Sequence, residues 1–181
     1  MVTSDMASPS WSARRALWVA LAIAGVIAAL DQASKWIVVA AIMRPPRVIE
    51  VTPFFNLVLT YNPGVSFGLL GGAAAWKPWA LSALAIFVVA VLLRWLARQP
   101  DPLLAVAIGL VSGGAIGNMI DRVHSGAVVD FLDFHFGGWH WWAFNLADSA
   151  ITVGIVLLVF DGLFRPQSRS NSGDEEAKSK N

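Results

Sequence analysis

The sequence predicts an all-α membrane bundle of four transmembrane helices carrying a small extracytoplasmic β-rich cap. Three observations predict it. Hydrophobic residues make up 56% of the 181 and charged residues only 14%, where a soluble domain has roughly 45–50% and 25%; the mean hydropathy is +0.61. Four separate apolar runs approach the ~20 residues needed to cross a hydrocarbon core of ~30 Å. Between the first and second runs lies a stretch of a different kind, rich in β-branched and aromatic residues. The length suits one compact bundle. Without cysteine, disulfides, thiolate metal sites and a cysteine nucleophile are excluded. A net charge of +1 makes no case for a nucleic-acid partner, and none is expected.

Residues 1–13 are small and polar and read as a mobile cytoplasmic tail. Arg14 and Arg15 lead into the first span, about residues 16–41, which continues past Asp31 and Lys35. A cleaved signal peptide would end at small residues after about 7–15 apolar ones and release a soluble chain. Further hydrophobic runs follow here, so the segment reads as an uncleaved membrane helix. Arg44-Pro45-Pro46-Arg47 then stops it, because proline lacks a backbone donor and restricts the residue before it. Val48 to Tyr61 predicts a short sheet, Asn62-Pro63-Gly64 a turn, and Val65 to Leu70 an apolar segment too short to span, lying in the interface. Residues 43–75 together form the expected outer cap.

The second span is about 79–96, with Trp76 and Trp79 as interfacial anchors and Arg94 and Arg98 closing it. Gln99-Pro100-Asp101-Pro102 is a turn. The third span, about 103–120, repeats Gly109, Gly113 and Gly117 at every fourth residue, the small-xxx-small pattern that lets helix backbones approach closely. The fourth is about 144–164. Residues 166–181 read as a disordered cytoplasmic tail, leaving 14–165 as a single membrane domain.

Four spans put both termini on one side. Arg14, Arg15, Arg94, Arg98, Arg165, Arg169, Lys178 and Lys180 then face Lys35, Arg44, Arg47, Lys77 and Arg122 across the membrane. Eight against five predicts cytoplasmic termini. In that topology Asp31 and Lys35, Asn118, Asp121 and Arg122, Asn145 and Asp148, and the loop residues Asn62 and Asp130 all gather near the extracytoplasmic face. Ionisable groups at membrane depth are costly to bury and mark a functional site by default.

Asp31 and Lys35 share a helix face and are spaced to pair, tethering the first helix to its neighbours. Asn118, Asp121 and Arg122 also share a face, with Arg122 placed to neutralise Asp121 and leave Asn118 free to bond across helices. Asp130 and Asp148 have no cation at helical spacing. Asp148 lies in the first turns of the last helix, where free amides favour negative charge. Asp130 sits among Val128, Val129, Phe131 and Leu132, where desolvation raises a carboxyl pKa. Two carboxylates meeting there would share one proton, one serving as base on water and the other as acid. Asp133 rivals Asp130, and the residues alone leave that choice open.

Other chemistries fit less well. Gly64-Val65-Ser66-Phe67-Gly68 matches a nucleophile elbow but has no α/β sheet to carry it. His124, His135 and His140 lack the spacing of a helical zinc pair. A proton-coupled transporter built on Asp and Lys is the main alternative, yet transporter sites lie near the midplane between repeats, and no long repeat is present.

Asp31-x-x-x-Lys35, Asn62-x-Gly64 with Phe67, Gly117-Asn118-x-x-Asp121-Arg122, Gly126-x-Val128-Val129-Asp130-Phe131 and Phe144-Asn145-x-Ala147-Asp148 resemble, in order, the motif set of signal peptidase II, the bacterial lipoprotein signal peptidase. The resemblance covers about residues 15–165. It implies an aspartic endopeptidase of the bacterial inner membrane with Asp130 and Asp148 as catalytic dyad, settling Asp130 over Asp133. It also implies that Asp31, Lys35, Asn62, Gly64, Asn118, Asp121, Arg122 and Asn145 order the dyad or hold substrate. The implied substrate is a prolipoprotein whose cysteine carries diacylglycerol, cut just before that cysteine, with no metal or organic cofactor. Membrane lipids are the other expected partners, and a monomer is the expected state. Trp139, Trp141 and Trp142 would set the membrane depth, with the sheet and Val65–Leu70 clamping the substrate.

Overall fold

The computed structural model describes residues 11–64 and 76–164. The expected interfacial segment Val65–Leu70, the elbow-like motif beyond Gly64, the tail from residue 166 and most of the N-terminal tail lie outside the described residues.

Four helices form the bundle: α1 (Ala13–Ile37), continued by a π-helical turn over Val38–Ile42, α2 (Lys77–Arg98), α3 (Pro102–Ser125) and α4 (Leu146–Phe164). All four are long and apolar enough to cross a membrane. Their starts follow from local chemistry. Ser12 caps α1 by accepting from the Arg15 amide, and Asp101 caps α3 by accepting from the Leu104 amide at 3.0 Å, with Pro102 in the first turn where no donor is missed. α3 runs five residues beyond its expected end at 120, so Asn118, Asp121 and Arg122 stand within a helix and not at its exit.

α3 is the central helix, with twelve buried residues against three in α2. Its glycines explain why. A Cβ at Gly109 would lie 2.9 Å from the Ala20 carbonyl and one at Gly113 2.8 Å from the Ala24 carbonyl, so the stripe lets α1 lie directly against α3. On α1 the facing residues are Ala16, Ala20, Ala24 and Ala28, all buried. Gly114 sits on the other flank, where a Cβ would meet the Ala147 carbonyl of α4. Lipid tails are as apolar as leucine, so close packing of small residues replaces the hydrophobic effect as the force between the helices. The outer faces of α2 and α4 stay apolar and exposed, with Leu84, Phe87, Val91, Val156 and Phe160 turned outward.

The cap is larger than residues 43–75 suggest. Strands β1 (Ile49–Thr52) and β2 (Phe55–Asn62) are joined by β3 (Val128–Phe136) and β4 (Trp139–His140) from the α3–α4 connection, in one antiparallel order β1-β2-β3-β4. Gly126 ends α3 in the left-handed conformation, φ +75°, and turns the chain into β3. Gly137 and Gly138, at φ +58° and +83°, make the two-residue hairpin turn that needs positive φ twice. The sheet rests on the end of α1 through a small core of Val38, Met43 and Phe131 with Leu57 and Leu59.

Candidate active site

β3 and the start of α4 bring Asp130 and Asp148 into one polar cluster. Asp130 pairs across the sheet with Thr60 and is 2% exposed. Its neighbour Val129 pairs in register with Tyr61 on β2 but finds polar partners on the helices. The Val129 amide donates to Asp121 Oδ2 at 3.1 Å, and its carbonyl accepts from Asn145 Nδ2 at 3.2 Å. Side chains of α3 and the α4 entry thus clamp the strand beside Asp130. Burial, then repulsion from Asp148, push the Asp130 carboxyl up to about 6, against the hydrogen bonds of Asn62 and Asn145.

Asn145 and Asp148 form a reciprocal cap on α4. The Asp148 amide donates to Asn145 Oδ1 at 3.0 Å, and the Asn145 amide donates to Asp148 Oδ2 at 3.2 Å. The spacing Asn145-x-x-Asp148 therefore closes a helix end and presents a carboxylate at the same time. The cap reading and the dyad reading of Asp148 are compatible.

Three asparagines meet the two carboxylates, and each has its amide orientation fixed by a donor at its oxygen. Asn145 Oδ1 accepts from Asp148 N, so its Nδ2 faces Asp130 Oδ1 at 2.7 Å. Asn118 Oδ1 accepts from Lys35 Nζ and Asn145 Nδ2, both at 3.1 Å, so its Nδ2 faces Asp148 Oδ1 at 2.8 Å. Asn62 Oδ1 accepts from the Gly64 amide at 2.9 Å in an Asx turn, so its Nδ2 faces Asp130 Oδ2 at 3.2 Å. An amide oxygen cannot donate, so these partners rule out the flipped orientations.

Beneath the asparagines lies a buried ionic layer. Lys35 Nζ is 2.8 Å from Asp31 Oδ2 and 2.8 Å from Asp121 Oδ2. Asp31 Oδ1 also accepts from the Ala147 amide at 3.0 Å, so a carboxylate on α1 serves a free amide in the first turn of α4. Gly117 makes this possible, since a Cβ there would lie 2.5 Å from Asp31 Oδ2. The expected Asp31–Lys35 couple is present and does tether helices, to α3 and to α4.

The expected neutralisation of Asp121 by Arg122 holds only at longer range, where Arg122 acts on Asp148, Asp121 and Asp130 together; the direct ion pair of Asp121 is with Lys35 across the helix interface. Close approach along the glycine stripe brings the ammonium to Asp121, while Arg122 Nη1 reaches only the Asn118 carbonyl at 3.4 Å. Arg122 Nε is buried with no partner among the described residues. Asp133 stands apart from the cluster, opposite Asn56 on β2. It accepts from Asn56 Nδ2 at 3.0 Å and pairs with His140 Nδ1 at 2.9 Å. Burial pushes its carboxyl up, but the hydrogen bonds of His140 and Asn56 outweigh it and hold the group below its ordinary value. His135 stacks on His140 in the same aromatic hairpin.

Sequence reasoning missed Gln32. Its Nε2 lies 2.9 Å from Asp121 Oδ1, 3.1 Å from the Gly117 carbonyl and 3.2 Å from Asp31 Oδ2. The available signal was a polar side chain inside an apolar run, next to Asp31 and three residues before Lys35. Asn56 was also missed, and nothing in its sequence setting marks it.

Residues 23–164 match the family model described as signal peptidase (SPase) II. A lipoprotein signal peptidase of Paraburkholderia phymatum is 48% identical over 147 residues, 80% of this chain and 87% of the relative. One from Burkholderia thailandensis is 48% identical over 146 residues, with the same coverage. Two solved bacterial membrane enzyme structures superpose with TM-scores of 0.72 and 0.71 at 30% and 32% identity. They cover 85% and 82% of this chain, and 93% and 94% of theirs.

Proposed function

Since the chain belongs to the signal peptidase II family, we propose that it removes signal peptides from prolipoproteins by aspartic catalysis at Asp130 and Asp148. The substrate is a diacylglyceryl-modified prolipoprotein, cut just before the lipidated cysteine. One observation carries the reading. Two carboxylates stand in one cluster, each receiving hydrogen bonds from asparagines that are themselves held in one orientation.

The chemistry follows from one proton shared between two acids. The ionised carboxylate takes a proton from a water, whose oxygen attacks the scissile carbonyl carbon. The protonated carboxyl gives its proton to the carbonyl oxygen. Collapse of the tetrahedral diol returns a proton to the leaving nitrogen, freeing the signal peptide and an N-terminal lipidated cysteine. Asn118, Asn145 and Asn62 fix the carboxylates before substrate arrives, so little reorganisation is needed at the moment of reaction. Lys35, Asp31, Asp121, Gly64 and Arg122 support them.

The enzyme sits in the bacterial inner membrane as a monomer with both termini in the cytoplasm, and the arginine distribution supports that orientation. The dyad then lies near the outer surface, at the depth of a diacylglyceryl-cysteine in the outer leaflet. Exposed Trp139, Trp141 and Trp142 support the same depth. The test is a gel-shift assay in detergent micelles with a diacylglyceryl-modified prolipoprotein. Cleavage before the modified cysteine is expected, and a folded protein that leaves the substrate intact refutes the assignment.

Asp133→Asn is expected to stay within about threefold of wild-type activity, because its carboxylate contacts Asn56 and His140 and neither dyad member. Loss of activity in that variant would transfer the role from Asp130 to Asp133. A second expectation concerns protonation. With its carboxyl at about 6, Asp130 keeps its proton at pH values where a free carboxyl, at 3.8, has lost it. Infrared difference spectra should therefore show a buried carboxyl C=O band that disappears as pH rises through about 6. In Asp148→Asn one raising cause is gone and burial remains, so the midpoint falls but stays above 3.8. An unmoved midpoint would mean that the two carboxylates do not interact.

A further inference from the structure

We propose that Gln32 is a positioning residue for the dyad, holding Asp121 and Lys35 in the arrangement that orients Asn118. The inference rests on the aspartic reading above and extends it by one layer.

Donor supply in the ionic layer makes the argument. An ammonium has three hydrogens, and Lys35 directs them at three acceptors: Asp31 Oδ2, Asp121 Oδ2 and Asn118 Oδ1. Asp31 Oδ1 is served by the Ala147 amide, and Asp121 Oδ2 receives a second bond from the Val129 amide. Asp121 Oδ1 remains, and Gln32 Nε2 meets it at 2.9 Å. The same nitrogen faces Asp31 Oδ2 at 3.2 Å, so one neutral amide stands between two like-charged carboxylates and donates toward both. Its two hydrogens are shared among three acceptors, the third being the Gly117 carbonyl at 3.1 Å, which ties this bridge to the backbone of α3 one residue before Asn118.

Losing these donors leaves Asp121 Oδ1 buried without its Gln32 bond. Asp121 then turns toward Lys35, the nearest cation, and draws the ammonium away from Asn118. Asn118 Oδ1 keeps only Asn145 as a donor, its amide is no longer held, and Asp148 Oδ1 loses a fixed hydrogen bond. The expected consequence falls on the chemical step and not on substrate binding, since Gln32 reaches the dyad only through other residues.

Two variants of the full-length protein test this in micelles with the diacylglyceryl-modified prolipoprotein. Gln32→Met keeps the length and removes the donors, and should lower kcat about tenfold with KM within about twofold. Gln32→Glu places an acceptor between Asp31, Asp121 and Lys35 while ionised, but donates once protonated. Its kcat relative to wild type should therefore rise steadily as pH falls from 8 to 5.5, roughly tenfold across that range. A residue needed only for packing would give a ratio independent of pH. Thermal unfolding at each pH separates lost chemistry from lost fold. A wild-type kcat in Gln32→Met, or a flat ratio in Gln32→Glu, overturns the proposal. If Gln32→Met does not fold, the Gln32→Glu ratio decides alone. Failure of the aspartic reading is distinguishable, because it would appear as cleavage by Asp130→Asn whatever the Gln32 variants do.

Discussion

Asp130→Asn and Asp148→Asn each lower prolipoprotein cleavage by at least about 10³-fold, and the double variant is scarcely worse than either alone. The near-isosteric amide preserves volume but can neither accept a proton from water nor carry the shared one. Loss of one member therefore removes the acid–base cycle that both complete. Non-additivity is the sharper signature, because two residues acting independently would multiply their losses. The fold should survive both changes. Asn145 is held by the Asp148 backbone amide, which either variant retains, and the clamp on Val129 does not involve the Asp130 side chain. The gel-shift assay reads the loss, and thermal unfolding in the same micelles shows that the protein remains folded. A tenth of wild-type activity in either variant would reject the two-carboxylate mechanism.

The bundle was legible because its signals are local. Apolar run length located all four helices, and Gly109, Gly113 and Gly117 announced the close contact that α1 makes, while Asp101 and Pro102, taken for a turn, are the cap and first residue of α3. The sheet was half legible. Val48–Tyr61 carries strand composition, but the partner strand β3 contains Asp130 and Asp133 and arrives from a different connection, a pairing that local pattern does not encode. In the site, Asp31 and Lys35 were readable from helical spacing. Asp121 was given to Arg122 by the same logic, because spacing along one helix cannot see an ammonium approaching from another. The bond from Ala147 to Asp31 spans 116 positions and has no local trace. Gln32 was passed over because an uncharged amide in an apolar run costs less to bury than an ion and so draws less notice.

Lys35→Met should destabilise the protein by on the order of 3–5 kcal/mol and reduce cleavage as well. Lys35 is 3% exposed and Asp31 is fully buried, with Asp121 at 7%. Removing the cation leaves two carboxylates facing each other at low dielectric, with Gln32 and two backbone amides as their remaining donors. Neither outcome open to them is cheap. They stay ionised and repel, or they take up protons and weaken the bonds that bind α1 to α3 and α4. The double variant Lys35→Met/Asp121→Asn separates these costs, since removing one orphaned charge should recover part of the lost stability. It should not recover cleavage, because Asn118 Oδ1 still lacks the ammonium that turns its amide toward Asp148. Stability returning without activity would place Lys35 in both roles, anchor of the bundle and orienter of the site. Unchanged unfolding in Lys35→Met would instead mean that the ionic layer holds no helices together.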